Sequence, residues 1–307
     1  MANIIKDNFL NNLKKKFGNI YKLNDSLSLY DIGNGAARVY IRYSKIHPRN
    51  QTFYGLRKKD IQKLEGHPSV ICFLWQNQKE PLIVPYSDFE EIFHSLSPAS
   101  DGQYKAQVFL QDAGTDFYIA NAGRFNVEAF FGWEQLNSLI DKSQLTNFPT
   151  LSHEQVQTLL GSIGANKGYN IWIPKNDRGK LDWNLTKQFA CDAEIPHEYH
   201  RIEDIIAEID VLWIERGAGT LRALFEVEHS TPIYSGLLRF NDVHLLFPSS
   251  KATYSIVSND DRRSLFVRQL RRPTFTMSKL GENCNFLEYP NVFMWHKRIV
   301  KQLYDNL

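Results

Sequence analysis

Long apolar stretches are missing from this 307-residue chain, since it contains no run of about 18 consecutive apolar residues. That absence excludes an evident transmembrane helix. The first residues also lack the basic start, apolar stretch and small-residue cleavage site of a secretory signal. We therefore expect a cytoplasmic protein with no membrane partner.

Cysteine is scarce: Cys72, Cys191 and Cys284 are odd in number and far apart. They show neither zinc-ligand spacing nor a disulfide framework, so reduced, mostly structural thiols are expected. An excess of one charge is also lacking, because the net charge is only +2. Five arginines nevertheless cluster between residues 262 and 272. Such a cluster is either a solvated face or a surface that contacts phosphates.

Apolar periodicity and turn signals divide the chain into a β-rich first half and an α/β second half. Residues 37–43 alternate as a half-buried strand, and Ser87 with Glu90 predicts a capping box at the start of a helix. A polar stretch around Pro149 marks the boundary. We predict a β-rich α+β domain over 1–145 and, over 150–307, a mixed sheet flanked by helices.

Acidic side chains stand inside two apolar, strand-like runs of the second half. Asp210 interrupts one run, and Glu226 and Glu228 interrupt the next. Because strand side chains alternate, the two glutamates share a face, and a turn at 217–219 would bring Asp210 opposite Glu226. Three buried carboxylates at one point would suit Mg2+ or Mn2+. The alternative is a solvated face, with partners such as Arg216 and Arg222.

This pattern resembles the PD-(D/E)XK nuclease superfamily, the fold of many restriction endonucleases. The match is an acid ending one strand, a hairpin, and Glu226-Val227-Glu228 on the next; segments 168–178, 225–239 and 271–275 are also similar. The chain departs from the usual motif because Glu228 replaces its lysine, which leaves the general base open. Asp210, Glu226 and Glu228 are then the expected catalytic residues, with Asp210 and Glu226 as metal ligands. The resemblance adds Glu154 as a further metal-side carboxylate.

The resemblance implies a Mg2+-dependent DNA endonuclease of restriction type, with Mn2+ as substitute, that hydrolyses phosphodiester bonds in double-stranded DNA as a homodimer. An inactive nuclease-fold DNA-binding module is the alternative. The first domain would recognise DNA, because basic residues are interleaved with aromatic ones there. The candidate DNA contacts are Arg38, Arg42, Arg57, Lys58, Arg178, Arg239, Arg271 and Arg272.

Overall fold

The computed structural model divides the chain into two compact units, residues 1–147 and 148–307. No helix in the described part of the chain is long and apolar enough to cross a membrane. The described residues are 2–23, 26–33, 35–111, 114–145, 148–229 and 232–305.

The described part of the first unit combines four helices with two sheets whose strands are mostly antiparallel. The helices are α1 (Ala2–Phe17), α2 (Lys58–Gln62), α3 (Glu90–Ser95) and α4 (Glu134–Leu145). The strands are β1 (Ile20–Lys22), β2 (Leu29–Ile32), β3 (Ala37–Tyr43), β4 (Gln51–Arg57), β5 (Ser69–Leu74), β6 (Leu82–Pro85), β7 (Gln103–Gln111), β8 (Gly114–Ile119) and β9 (Gly123–Asn126).

One sheet of this unit has the order β1-β2-β3-β5-β6, and the other has the order β4-β7-β8-β9. The prediction of a strand over 37–43 is confirmed, but the prediction that it is half-buried is wrong. β3 lies between β2 and β5, and its first five residues are all buried because both faces of the sheet are covered.

The burial of β3 also corrects one predicted DNA contact. Arg38 is only 2% exposed and forms a two-pronged ion pair with Asp31, at 2.7 and 3.1 Å. Its Nη1 donates to the carbonyl oxygen of Lys63 at 2.6 Å. Arg38 is therefore a structural side chain within the unit and is shielded from DNA.

The predicted capping box at Ser87 is wrong. Residues 86–88 form a 3-10 turn, so α3 begins at Glu90 with Phe89 as its N-cap. Ser87 Oγ instead donates to Asp88 Oδ1 at 3.1 Å, and the Glu90 side chain is buried. The sequence pattern failed to predict the helix start because the Glu90 side chain is buried in the interior of the unit.

The second unit begins with a helix that starts at a capping box. Ser152 caps α5 and accepts from the Gln155 backbone N–H, while the Gln155 side chain accepts from the Ser152 backbone. The strands of the unit are β10 (Asn170–Trp172), β11 (Val211–Ile214), β12 (Leu221–Val227), β13 (Thr253–Ser258) and β14 (Cys284–Glu288). The helices are α5 (His153–Asn166), α6 (Glu203–Ile206), α7 (Ile233–Leu246), α8 (Arg263–Leu270), α9 (Pro273–Ser278) and α10 (Tyr289–Asp305).

These strands form one mixed sheet in the order β10-β11-β12-β13-β14. The first three are antiparallel neighbours, whereas β12, β13 and β14 run parallel, with α7 crossing from β12 to β13. Apolar side chains of α5 and α10 cover one face, and those of α7 cover the other. The prediction of a mixed sheet flanked by helices is confirmed.

The predicted hairpin between the two acid-bearing runs is also confirmed. Gly217 and Gly219, in the connection between β11 and β12, have φ angles of 77° and 68°, a region that favours glycine. Val211 pairs with Phe225, so the next position toward the open end sets Asp210 opposite Glu226. The hairpin thereby carries the acids to one end of the sheet.

Candidate active site

Asp210 lies one residue before β11, at the end of the hairpin. Its Oδ2 accepts a hydrogen bond from the backbone N–H of Val227 at 2.7 Å, which ties the two strand ends together. Its Oδ1 lies 3.1 Å from His153 Nε2 and 3.2 Å from Gln157 Nε2, both on the first turns of α5. Asp210 therefore links β12 to α5.

Glu226 is a carboxylate buried inside the sheet, with 1% of its surface exposed. Arg239 on α7 holds both of its oxygens, with Nε 2.6 Å from Oε1 and Nη2 2.8 Å from Oε2. Burial raises the pKa of Glu226 to about 8 despite this partner, and the charges of Asp210 and Glu228 add to the rise. The site is short of positive charge.

Glu228 shares its strand face with Glu226 and is equally buried, at 2% exposure. Its backbone oxygen accepts from Arg262 Nη1 at 2.9 Å and from the Ser258 hydroxyl, so its main chain is held firmly. Gly236 of α7 packs against both glutamates. A Cβ there would lie 3.0 Å from Glu226 Cγ and 3.1 Å from Glu228 Oε1. Glycine lets α7 approach this closely without displacing either glutamate.

A possible metal-ligand set surrounds Asp210 rather than the two glutamates. One ligand atom each from His153, Asp177 and Asp210 lie within 4.8 Å of one another. Within the described ranges, the trio Asp210, Glu226 and Glu228 does not meet that distance. The reason is that Asp210 stands outside β11, so the strand pleat does not direct its side chain.

His153 and Asp177 are the two residues that sequence reasoning missed at this site. Burial lowers the pKa of His153, but the hydrogen bond and the charge of Asp210 outweigh it, and the pKa is raised. Glu154, the predicted ligand on α5, lies outside the set and accepts from Ser152 Oγ at 2.9 Å. Neighbouring residues of a helix point in different directions, and the sequence alone did not reveal which one faces Asp210.

Two predicted DNA contacts have clear structural partners. Arg178 donates to the carbonyl oxygens of Ile173 at 2.8 Å and Asp192 at 2.7 Å, and its guanidinium lies 4.8 Å from the Trp172 ring centroid. These contacts anchor the turn after β10. Arg239 is engaged with Glu226 and lies within the acidic site itself.

The other predicted contacts lie in different environments. Arg271 and Arg272 are exposed where α8 meets α9, and Arg272 also lies 4.3 Å from the Tyr234 ring centroid. In the first unit, Arg57 is exposed at the end of β4, while Arg42 and Lys58 are half-buried.

The second unit coincides with a known protein family. Residues 136–302 match the family described as the type II restriction enzyme NmeDI C-terminal domain, which is more than half of the chain. The chain belongs to this family. All three predicted acids, together with His153 and Asp177, fall inside the matched range.

One relative is the type II restriction enzyme NmeDI of Neisseria meningitidis serogroup C. It is 30% identical over 131 residues, which is 40% of this chain. The chain spans 37% of the length of that relative. No solved structure matches the chain.

Proposed function

We propose that the chain is a Mg2+-dependent DNA endonuclease of restriction type, with a PD-(D/E)XK-like catalytic unit over 150–307. Family membership supports the restriction type. The observation that carries the proposal is Glu226, a fully buried carboxylate whose strand position lies opposite that of Asp210 at the open end of a hairpin. Such a group is costly to bury without a cation to offset its charge.

The donor set fits a divalent cation. His153, Asp177 and Asp210 bring one ligand atom each within 4.8 Å of one another, and Glu226 and Glu228 add buried carboxylates at the end of β12. Oxygen-rich sites suit Mg2+ and Mn2+, and one imidazole from His153 is compatible with Mn2+. Asp210 would hold the ion with His153 and Asp177, whose ligand atoms lie close to its own, and Glu226 is the further proposed ligand. A bound ion would polarise a phosphate oxygen and acidify a water molecule.

The chain's own residues would do the remaining work. Glu228 takes the position of the usual lysine and would accept the proton of the attacking water. Arg239 neutralises Glu226 and, on the same face, would contact the phosphate as negative charge develops. The Val227 backbone N–H keeps Asp210 oriented. Two copies related by a twofold axis would cut both strands of a symmetric site.

Cleavage of supercoiled plasmid DNA with Mg2+ tests the proposal directly. We expect nicked and linear products with the wild type, no products with EDTA, and at least a 100-fold loss in Asp210→Ala, a typical effect of removing a group that acts in the transition state. Glu154→Gln is the matched control on α5 and should cleave normally. Wild-type activity in Asp210→Ala would reject the assignment.

A catalytically inactive DNA-binding module is the second candidate. It is favoured by one observation, that Arg239 already occupies both oxygens of Glu226. An inactive module would bind duplex DNA equally well with and without EDTA and would not cleave it, whichever metal ion is added. Cleavage with either Mg2+ or Mn2+ would eliminate this candidate.

A further inference from the structure

The sheet β4-β7-β8-β9 of the first unit buries one face and leaves the other open. Along β4 and β8, buried and accessible residues alternate strictly, and the buried set includes Tyr54, Leu56, Phe117 and Ile119. Residues of the opposite parity form what we call the open sheet face. This face belongs to neither the acidic site nor the predicted contacts on β3.

Several side-chain amides lie on the open sheet face. They come from every strand except β8, at Gln51, Gln103, Gln107 and Asn126. Gln103 lies flat over Gly55, since a Cβ at Gly55 would meet its Oε1 at 1.7 Å. Amides are the groups that pair twofold with adenine edges.

Basic residues outnumber acidic ones on the same face. Arg57, Lys105 and Arg124 are exposed there, whereas Asp116 is the acid among the face's described strand residues. Lys105 pairs with Asp101, which precedes β7. The remaining balance favours a polyanion, and arginine is the commonest reader of guanine edges.

Aromatic rings complete the open sheet face. Phe53 is 44% exposed, with the His47 ring edge-on at 4.9 Å. The Arg124 guanidinium lies 3.9 Å from the Phe109 ring centroid, and Tyr118 meets Phe109 edge-to-face. Stacking on Phe109 limits the guanidinium's motion, so its donors are pre-oriented for a flat partner.

We propose that the open sheet face reads base edges in the major groove of duplex DNA. That groove admits a two-stranded antiparallel ribbon, which neighbouring strands of this sheet can supply, and the combination of amides, arginines and few acids matches its donor and acceptor pattern. A protein partner would instead call for an apolar centre. This inference rests on the proposed function, because it gives the DNA-cutting chain its recognition surface. It also moves recognition away from the buried Arg38.

The test uses the full chain in EDTA, so that binding is measured without cleavage. A pool of duplexes with about 20 randomised base pairs, roughly two helical turns, is selected for bound sequences. Fluorescence anisotropy then compares the selected duplex with a scrambled one at fixed salt. Gln107→Ala and Arg124→Ala are expected to lower the ratio of the two affinities about 10-fold or more each.

Gln76→Ala and Lys79→Ala are the matched controls. Both residues are exposed in the loop between β5 and β6 of the same unit, away from this sheet, and should leave the ratio unchanged. Thermal melting of every variant checks that the unit remains folded. If Gln107→Ala melts early, Gln107→Glu replaces it, since it preserves the side-chain shape but lacks the amide donor that pairs with an adenine edge, and should lower the same ratio.

The outcomes separate the inference from the proposed function. If the wild type selects a sequence and both face variants retain the full ratio, the open sheet face is not the recognition surface, although the endonuclease proposal stands. A preference for single-stranded DNA or RNA over every duplex would also overturn the inference. Absence of any DNA binding, with no cleavage under Mg2+ or Mn2+, would instead remove the proposed function itself.

Discussion

Arg239 donates hydrogen bonds to both carboxylate oxygens of Glu226, at 2.6 and 2.8 Å. Glu226 is almost wholly buried in the sheet. This pair is the electrostatic centre of the site. The Arg239 guanidinium offsets the negative charge of Glu226, while Asp210 and Glu228 supply two further negative charges nearby. The pair explains how the chain tolerates buried acids and why a cation should bind beside them.

Stability should fall as pH rises from about 5 to 8. The ordinary pKa of a glutamate is near 4.5, whereas burial raises that of Glu226 to about 8, so across this window the native state holds a proton that the unfolded state has lost. The fall in the free energy of unfolding that Glu226 contributes should approach about 1.4 kcal/mol per pH unit. Urea unfolding at several pH values would measure it.

Glu226→Gln provides the comparison for that pH dependence. The amide keeps the shape of the side chain but does not titrate, so its unfolding free energy should vary less between pH 5 and 8 than that of the wild type. Parallel curves for the two proteins would show that Glu226 is ionised throughout and that Arg239 outweighs burial.

Divalent ions should stabilise the second unit. Ion at about 100 times its dissociation constant adds roughly 2.7 kcal/mol, so Mg2+ should raise the melting temperature by about 5 to 10 °C. Asp210→Asn should abolish the shift, and Glu154→Gln should preserve it. A shift that persists in Asp210→Asn would place the ion elsewhere in the chain.

His153 should favour Mn2+ over Mg2+, because imidazole is a better ligand for transition metals than for Mg2+. His153→Ala is therefore expected to weaken Mn2+ binding about 10-fold and Mg2+ binding much less, as measured by calorimetry. His153→Gln retains a polar side chain near Asp210 and controls for loss of packing. Equal losses for both ions would indicate that His153 only orients Asp210.

The hairpin shows how far sequence reasoning reaches. Strand alternation and the glycine turn predicted a shared face for Glu226 and Glu228 and placed Asp210 opposite Glu226, because both depend on local geometry. The approach of His153 and Asp177 to Asp210 depends on how α5 and the turn after β10 dock onto the sheet. No local pattern encodes such docking, so these residues were missed.

Basic residues of the first unit show the same limit of sequence-based prediction. Arg38 and Arg57 look alike in sequence, yet Arg38 is sealed inside a sheet covered on both faces and Arg57 lies on an open one. The difference depends on which strands become neighbours: β3 gains β2 and β5, while β4 pairs with β7. Long-range pairing therefore decided which arginine is accessible.

Arg38→Ala should destabilise the first unit by about 3 to 5 kcal/mol, because it removes the guanidinium that pairs with the buried Asp31 carboxylate. Arg57→Ala at the exposed end of β4 should change stability by only about 0.5 kcal/mol. Denaturant unfolding of both variants would measure the contrast. Similar small effects for both would mean that Asp31 finds water or another donor when Arg38 is removed.

Gly236→Ala should impair cleavage more than folding. The new methyl group would meet Glu226 Cγ at 3.0 Å and Glu228 Oε1 at 3.1 Å, so α7 or the two acids must shift by a few tenths of an ångström. Alanine's higher helix propensity, worth about 1 kcal/mol, offsets part of the strain in stability but none of the displacement. We expect about a 10-fold or greater loss of plasmid cleavage, with a melting temperature within a few degrees of wild type.

Gly179→Ala, which has open space around its Cβ, is the matched control and should leave both quantities unchanged. Full cleavage by Gly236→Ala would mean that the position of these glutamates does not limit the reaction.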